Sequence, residues 1–473
     1  MGTFTSELIF GEYAYGTMTE TPNISYKTLL YNGFSPLSLF AASEPGFWFD
    51  PSDLSTLFQD TAGTTPVTVA GQSVARINDK SGRGNHATQS TSLSRPTLGR
   101  NPVGGTRNLL TYTEQFDNAA WTKQATTVAA NSTTAPDGTV TADTLVESTA
   151  NLGHVASRAV TAITALYVFS VYLKKGSGST APNWLQLYTG GVSAQYASFN
   201  LGAGAVGSVA AGSTATITSV GNGWYRCTLS FTPSLDGSVS VAIAFTNNTD
   251  TTTRGLSYAG TATSDVFIWG AQLETGSTAT AYQKVVSAFD VTEAGKADCW
   301  YLGFDGSDDF LVTPTITPGT DKAQAFAGVR KLSDAATGTV IELSASGSSG
   351  SISVFAPLSA AANYEWRSFG TGVARATSGN TFAAPITNVL TGIGEISTDT
   401  AILRVNGAQA ATSPSDQGTG NYNNYPLYIG RRGDTAYPFN GRIYSLICRF
   451  GSNLAADQIT QTEAWVNSKT GAY

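Results

Sequence analysis

The stretch Leu302-Gly303-Phe304-Asp305-Gly306-Ser307-Asp308-Asp309-Phe310-Leu311 decides how the rest of the chain is read. Phe304 and Phe310 are apolar anchors on either side of a polar centre. Asp305-Gly306 supplies turn chemistry, because glycine reaches positive φ at little cost. Asp308 and Asp309 either cap this turn or coordinate a cation. The stretch therefore reads as a strand that enters a tight turn and leaves again. The tail repeats the style. Ile402-Leu403-Arg404-Val405-Asn406-Gly407 ends on a hairpin signal. Pro426 to Arg431 and Phe439 to Tyr444 read as further strands, and Leu454 to Lys469 as a closing helix with Ser452 or Asn453 as its cap.

In order and spacing, these phrases resemble a laminin-G-like (concanavalin-A-like) jelly roll. The front of the chain resembles the same family as it occurs in bacteriophage structural proteins. Gly46-Phe47-Trp48-Phe49-Asp50 is similar to its early strand, and Asp79-Lys80-Ser81-Gly82-Arg83-Gly84-Asn85-His86-Ala87 to the loop that follows. Between these two parts lies a different pattern. Asn108 to Lys123, Gly223-Trp224-Tyr225-Arg226 and Val266 to Glu274 resemble carbohydrate-binding-module-like β-sandwiches of phage appendages. Tyr167, Phe169, Val171 and Leu173 alternate, as do Val239, Val241, Ile243 and Phe245, which is the period of half-buried strands.

The resemblances imply an all-β chain: a discontinuous jelly roll over residues 35–107 and 286–473, and a second β-sandwich inserted at residues 108–285. Residues 1–34 are left as an N-terminal arm, either a loose tail or a segment that becomes ordered against a partner subunit.

Composition agrees with many short strands. Of 473 residues only 12% are charged, while 50 are glycine. A net charge of −7 excludes the basic face that a nucleic-acid partner needs. No apolar run reaches the roughly 20 residues of a membrane span, and the first residues lack the pattern of a secretory signal. Cys227, Cys299 and Cys448 sit in strand-like runs and read as reduced core thiols. With two histidines far apart, a histidine metal cluster or a histidine-dependent triad is not expected.

No carboxylate pair has the spacing of a glycosidase, and Glu395-Ile396-Ser397-Thr398-Asp399 has the wrong one. The chain is therefore expected to bind rather than to catalyse, and no cofactor is required. Calcium is the one ion to consider, on Asp79 and Asn85 or on Asp305 and Asp308, because hard oxygens on glycine-rich loops suit it. For the first loop, a turn held by Asx hydrogen bonds is the plainer account. Sugar rings stack on aromatic faces. Trp184, Gln186 and Tyr188 fall on one strand face, opposite Leu185 and Leu187, and form either a sugar platform or core. Trp121 is a further candidate, with core packing as its other and plainer reading. Tyr422, Tyr425 and Tyr437, near Arg431 and Arg432, suit a rim site or a subunit contact.

The resemblance implies a virion structural protein made in the host cytoplasm and displayed on the particle surface: a tail fibre, tailspike-like or capsid fibre subunit. Its expected partners are host surface polysaccharide, other virion proteins through the arm, and its own copies, with a trimer favoured. A purely structural decoration or collar role is the alternative, and a glycan-cutting enzyme a minor one.

Overall fold

The computed structural model describes residues 33–178, 184–247 and 251–473. The expected N-terminal arm lies outside the described residues for all but its last two positions. Among the described residues the fold is all-β, closed by one α-helix at Ala456–Thr470. The strands form four large sheets, of ten, nine, six and six strands, and a two-stranded ribbon.

The ten-stranded sheet is built on Asn440–Phe450. This strand pairs antiparallel with Lys322–Lys331 on one side and with Asp298–Asp305 and Gly46–Phe49 on the other. The nine-stranded sheet lies against it and contains Leu311–Ile316, Tyr425–Ile429 and Thr339–Leu343. Their shared core includes Phe47, Leu98, Leu302, Phe304, Leu311, Trp366 and Ile429, and it takes no residue between Leu98 and Leu302. A separate core, drawn from Leu110 to Leu273, fills the space between the two six-stranded sheets. All four residues of the Tyr167–Leu173 alternation and all four of the Val239–Phe245 alternation lie in it. Period-2 patterning therefore placed these strands correctly, because one face of each meets the opposite sheet.

The two parts meet along short segments. Thr97–Pro102 pairs antiparallel with Asp298–Asp305, running from Thr97 opposite Gly303 to Pro102 opposite Asp298. Gln283–Ser287 pairs with Asp290–Glu293, which extends the ten-stranded sheet. The side chain of Asn108 donates to the carbonyls of Ala271 and Gln283, both at 3.0 Å.

Several expectations are corrected. The Leu302–Leu311 stretch is a corner, not a hairpin: Asp298–Asp305 belongs to the ten-stranded sheet and Leu311–Ile316 to the nine-stranded one. The chain crosses between layers here because Phe304 and Leu311 both point into the shared core. The helix begins at Ala456, not on a Ser452 or Asn453 cap. The side chain of Gln458 accepts from the Ala455 N–H, and Asn453 is engaged instead with Glu395. The Asn406-Gly407 turn is as expected, with φ of 51° and 80°, between Thr400–Val405 and Ala408–Ser413. The three cysteines are buried and free.

Trp121 is not a surface residue. It is 1% exposed, packs on Phe116 with ring centroids 4.8 Å apart, and its indole donates to the Tyr112 carbonyl. Tyr422 is likewise core, 2% exposed, with its hydroxyl 2.6 Å from that of Ser368. Both aromatics anchor loops to a sheet. Replacing Trp121 with alanine should therefore destabilise by about 3–5 kcal/mol. Denaturant unfolding followed by circular dichroism checks this, and a loss under about 1 kcal/mol would place the residue at the surface after all.

Candidate functional site

Trp184–Gly191 lies in a six-stranded sheet with Leu185 and Leu187 in the core, so Trp184, Gln186 and Tyr188 do share the outer face. That face is not an open platform. Residues 251–255 cross it as a strap. The Gln186 side chain donates to the Thr253 carbonyl at 3.2 Å and accepts from the Gly255 N–H at 2.8 Å, and the residue is 1% exposed. Arg254 donates to the Thr189 carbonyl and stacks over the Tyr188 ring at 5.6 Å. The Trp184 ring lies against Gly207, where a Cβ would come within 2.3 Å of it. Gln186 thus carries no free amide for a sugar hydroxyl; its hydrogen bonds hold the strap. Trp184 and Tyr188 keep only half-buried edges.

Tyr425 and Tyr437 are not brought together. The Tyr425 hydroxyl donates to the Ser349 carbonyl at 3.4 Å, and Tyr437, 41% exposed, meets Phe355 and Arg432 instead.

The Asp79 loop is also not a cation cage. Its carboxylate accepts from the N–H groups of Trp48, Ser81 and Asn85 and from the Ser81 hydroxyl. Asn85 spends its amide on the Gly46 carbonyl at 2.7 Å. Both aspartate oxygens are therefore occupied by donors, as an Asx-held turn requires.

Asp305, Asp308 and Asp309 differ from it. One oxygen from each lies within 4.8 Å of the others. Asp309 is buried, and its carboxylate accepts from the Asp305 N–H at 3.0 Å. Burial, followed by the charges of Asp305 and Asp308, pushes its pKa up to about 7. The cluster holds the corner, and it does so against its own repulsion.

One aromatic-walled concavity was not picked out from the sequence. A cleft of about 580 Å³ opens where the inserted strands meet the Asp290–Glu293 hairpin. Its aromatic wall is Tyr172, Trp269 and Tyr282. Trp269 and Tyr282 have centroids 4.6 Å apart, and Tyr172 stands edge-on to Trp269 at 5.1 Å. A bulge adjoins the wall. Asp265–Thr275 runs beside Tyr167–Lys175 with a register shift between Ser170 and Tyr172. Gly270 sits there at φ +63°, and a Cβ on it would come within 2.9 Å of the Tyr172 ring. The extra residue lets Ile268 and Ala271 both face the main core, while Trp269 lies on the other face, 4% exposed and packed with Trp224 in a small second cluster. The signal in the sequence was the Trp269-Gly270 step, which breaks the alternation.

The cleft's rim is charged and paired. Lys284 binds Glu114 at 2.6 Å, and Glu114 also accepts from the Tyr282 hydroxyl at 3.3 Å. Burial and the neighbouring Glu114 hold the Tyr282 hydroxyl in its neutral form, well above the usual phenol range. Arg107 bridges to Glu293 at 2.9 Å, and Gln283 donates to the same carboxylate. An aromatic wall of this size, edged by charged and hydroxyl groups, suits a small polar ligand with an apolar face.

No known family profile matches the chain, and no curated protein matches it. Among solved structures, it is similar to the receptor-binding domain of the botulinum neurotoxin C/D mosaic serotype, at 11% identity over 34% of this chain and 42% of that one, with a TM-score of 0.28. It is also similar to the CBM40 of the Ruminococcus gnavus IT-sialidase bound to α2,3 sialyllactose, at 14% identity over 31% of this chain and 84% of that one, with a TM-score of 0.26. A third is a heptameric SAP-like pentraxin from Limulus polyphemus, at 12% identity over 34% of this chain and 80% of that one, with a TM-score of 0.28. The chain thus spans less than half of the botulinum domain, and each likeness takes in about a third of this chain.

The Asp309 pKa makes a pH prediction. The folded value lies above the unfolded one of about 4, so the associated stability is present below about pH 4 and is lost as pH rises through about 7. The loss should be on the order of 2–4 kcal/mol. Asp309→Asn keeps the acceptor for the Asp305 N–H and should flatten this slope in thermal melts from about pH 4 to pH 8. Calcium over chelator at the upper pH tests the expected cation: a higher melting temperature in the wild type alone assigns it to this cluster, and an equal response of the variant removes it.

Proposed function

We propose that the chain is a glycan-binding adhesin, displayed on a phage particle as a fibre or appendage subunit, and that it binds rather than cuts its ligand. The observation that carries the reading is the cleft walled by Tyr172, Trp269 and Tyr282. Pyranose rings present C–H faces that pack on such rings, and the hydroxyls around them need the kind of charged edge that Lys284, Glu114 and Glu293 supply. The phage setting rests on the sequence resemblance alone. In this reading residues 1–34 attach the subunit to other virion proteins, and copies of the chain associate, as a trimer by preference. The sugar site moves from the strand at Trp184 to the cleft, because the strap covers the former.

Tyr172→Ala removes one wall of the cleft and leaves the two large cores intact, although Tyr172 also packs on the small buried cluster of Trp224 and Trp269. It should weaken binding to host surface polysaccharide by roughly tenfold, about 1.4 kcal/mol. Calorimetry of the full chain measures this, with a melt as control. Full affinity in a folded variant would return the chain to the decoration role, with the sandwiches as spacers.

A truncation tests the setting separately. Removing residues 1–33 should leave all four sheets folded by circular dichroism and should abolish incorporation into particles. Wild-type copy number of the truncated chain on purified virions would overturn the anchor.

A further inference from the structure

A second concavity, of about 450 Å³, lies on the outer face of the ten-stranded sheet, just beyond the end of the helix. It shares no lining residue with the aromatic cleft. Its floor is cationic. Arg330 on Lys322–Lys331 and Arg442 on Asn440–Phe450 are direct cross-strand partners in the antiparallel register. Like charges in that relation repel, and sheets ordinarily avoid them or place a carboxylate between them.

No carboxylate is placed here. Among the described residues the arginines with carboxylate partners are Arg100, Arg107, Arg367, Arg404, Arg432 and Arg449, and neither Arg330 nor Arg442 belongs to this set. What the two have is neutral. Arg330 donates to the Thr387 hydroxyl at 2.9 Å. Arg442 donates to Asn101 Oδ1 at 3.1 Å and lies over the Tyr301 ring at 4.4 Å. That Asn101 oxygen is shared with the Tyr444 hydroxyl at 2.9 Å. The last turn of the helix, at Thr470 and Gly471, also lines the pocket, and it offers about half an elementary negative charge against two full positive ones. Burial, and after it the charge of Arg442, pull the Arg330 guanidinium below its ordinary range, with the nearby tyrosines opposing. A guanidinium stays protonated even so. The pocket therefore holds two cations that the protein's own side chains leave without a counter-charge.

We propose that Arg330 and Arg442 form an oxyanion-binding site, which takes the carboxylate, sulfate or phosphate group of a small ligand. Two guanidinium forks side by side match the paired oxygens of such a group, and Thr387 adds a hydroxyl at the same wall. The size of the pocket allows the anion to be carried on a sugar-sized body.

The test uses the full chain, melted in chloride, inorganic sulfate, sodium glucuronate or glucose, the salts at matched ionic strength. Sulfate and glucuronate should each raise the wild-type melting temperature by about 2–4 °C over chloride, and glucose should not. A response to sulfate without glucuronate supports the site and narrows it to tetrahedral anions. The shift should vanish in Arg330→Gln and in Arg442→Gln. Because sulfate also stabilises proteins through exclusion from their surface, an equal rise in wild type and both variants overturns the proposal. A third variant does not depend on losing a contact. Leu332 lines the pocket and is 38% exposed. Leu332→Glu supplies an internal carboxylate, so it should melt higher than wild type in chloride and should no longer respond to sulfate. A lower melting temperature together with a retained sulfate shift would sink the site.

Discussion

The pairing of Thr97–Pro102 with Asp298–Asp305 is the contact on which the arrangement depends. Nearly two hundred residues separate these strands in the sequence, yet they lie side by side within one sheet. Closing so long a loop costs on the order of 5 kcal/mol of chain entropy. The cost is offset locally. Leu98 and Leu302 enter the shared core as partners in the register, and Arg100 bridges Asp290 at 2.6 Å and Asp298 at 3.1 Å. The pairing also brings the chain's exit at Pro102 beside its return at Asp298, so the intervening strands can form their own two sheets without straining the first pair. A weaker dependence on loop length than on local register is what makes long excursions from a sheet edge tolerable.

How much of this was legible follows from where each signal acts. Alternation is a local property. It located the strands around Phe169 and Ile243 because one face of each meets an opposing sheet regardless of what covers the other. The same signal at Trp184, Gln186 and Tyr188 gave the correct face and the wrong environment, since the strap that covers it comes from residues 251–255 and no pattern at 184–188 encodes it. Asn406-Gly407 was legible as a turn because its φ requirement is met by those two residues themselves. Asp305 to Asp309 was half legible. The turn was read, but whether the two flanking strands pair with each other or cross between layers depends on Phe304 and Leu311 sharing one core. Trp121 and Tyr422 show the same limit: an aromatic in a loop reads identically whether it is displayed or used as an anchor.

The aromatic cleft escaped for a different reason. Trp269 falls within the Val266 to Glu274 strand pattern, and a residue that completes a strand pattern carries no separate mark of a ligand contact. The bulge at Gly270 sets the phase of the residues that follow Trp269 in that strand. Without the extra residue, the alternation that buries Ile268 would point Trp269 outward and then place Gly270, not Ala271, in the core. One glycine therefore does two things: it keeps the core in phase and leaves room for the Tyr172 ring.

The cleft and the arginine pocket use charge in opposite ways, and the difference bears on what each can hold. In the cleft, Glu114 meets Lys284 and Glu293 meets Arg107, so these two carboxylates are already matched. A neutral ligand loses nothing there, because its hydroxyls join hydrogen bonds that stand without it, whereas a charged one would have to displace a partner. In the arginine pocket nothing is matched. Arg330 and Arg442 face each other across one register position, and their neutral donors and acceptors satisfy geometry but not charge. A neutral ligand gains little there, and an anion gains from both guanidinium groups at once. Neither site owes its side chains to a sheet edge: Arg330 and Arg442 stand on strands paired on both sides, and so do Tyr172 and Trp269. Register fixes where these side chains stand in both sites, and what differs is whether the protein supplies the counter-charge.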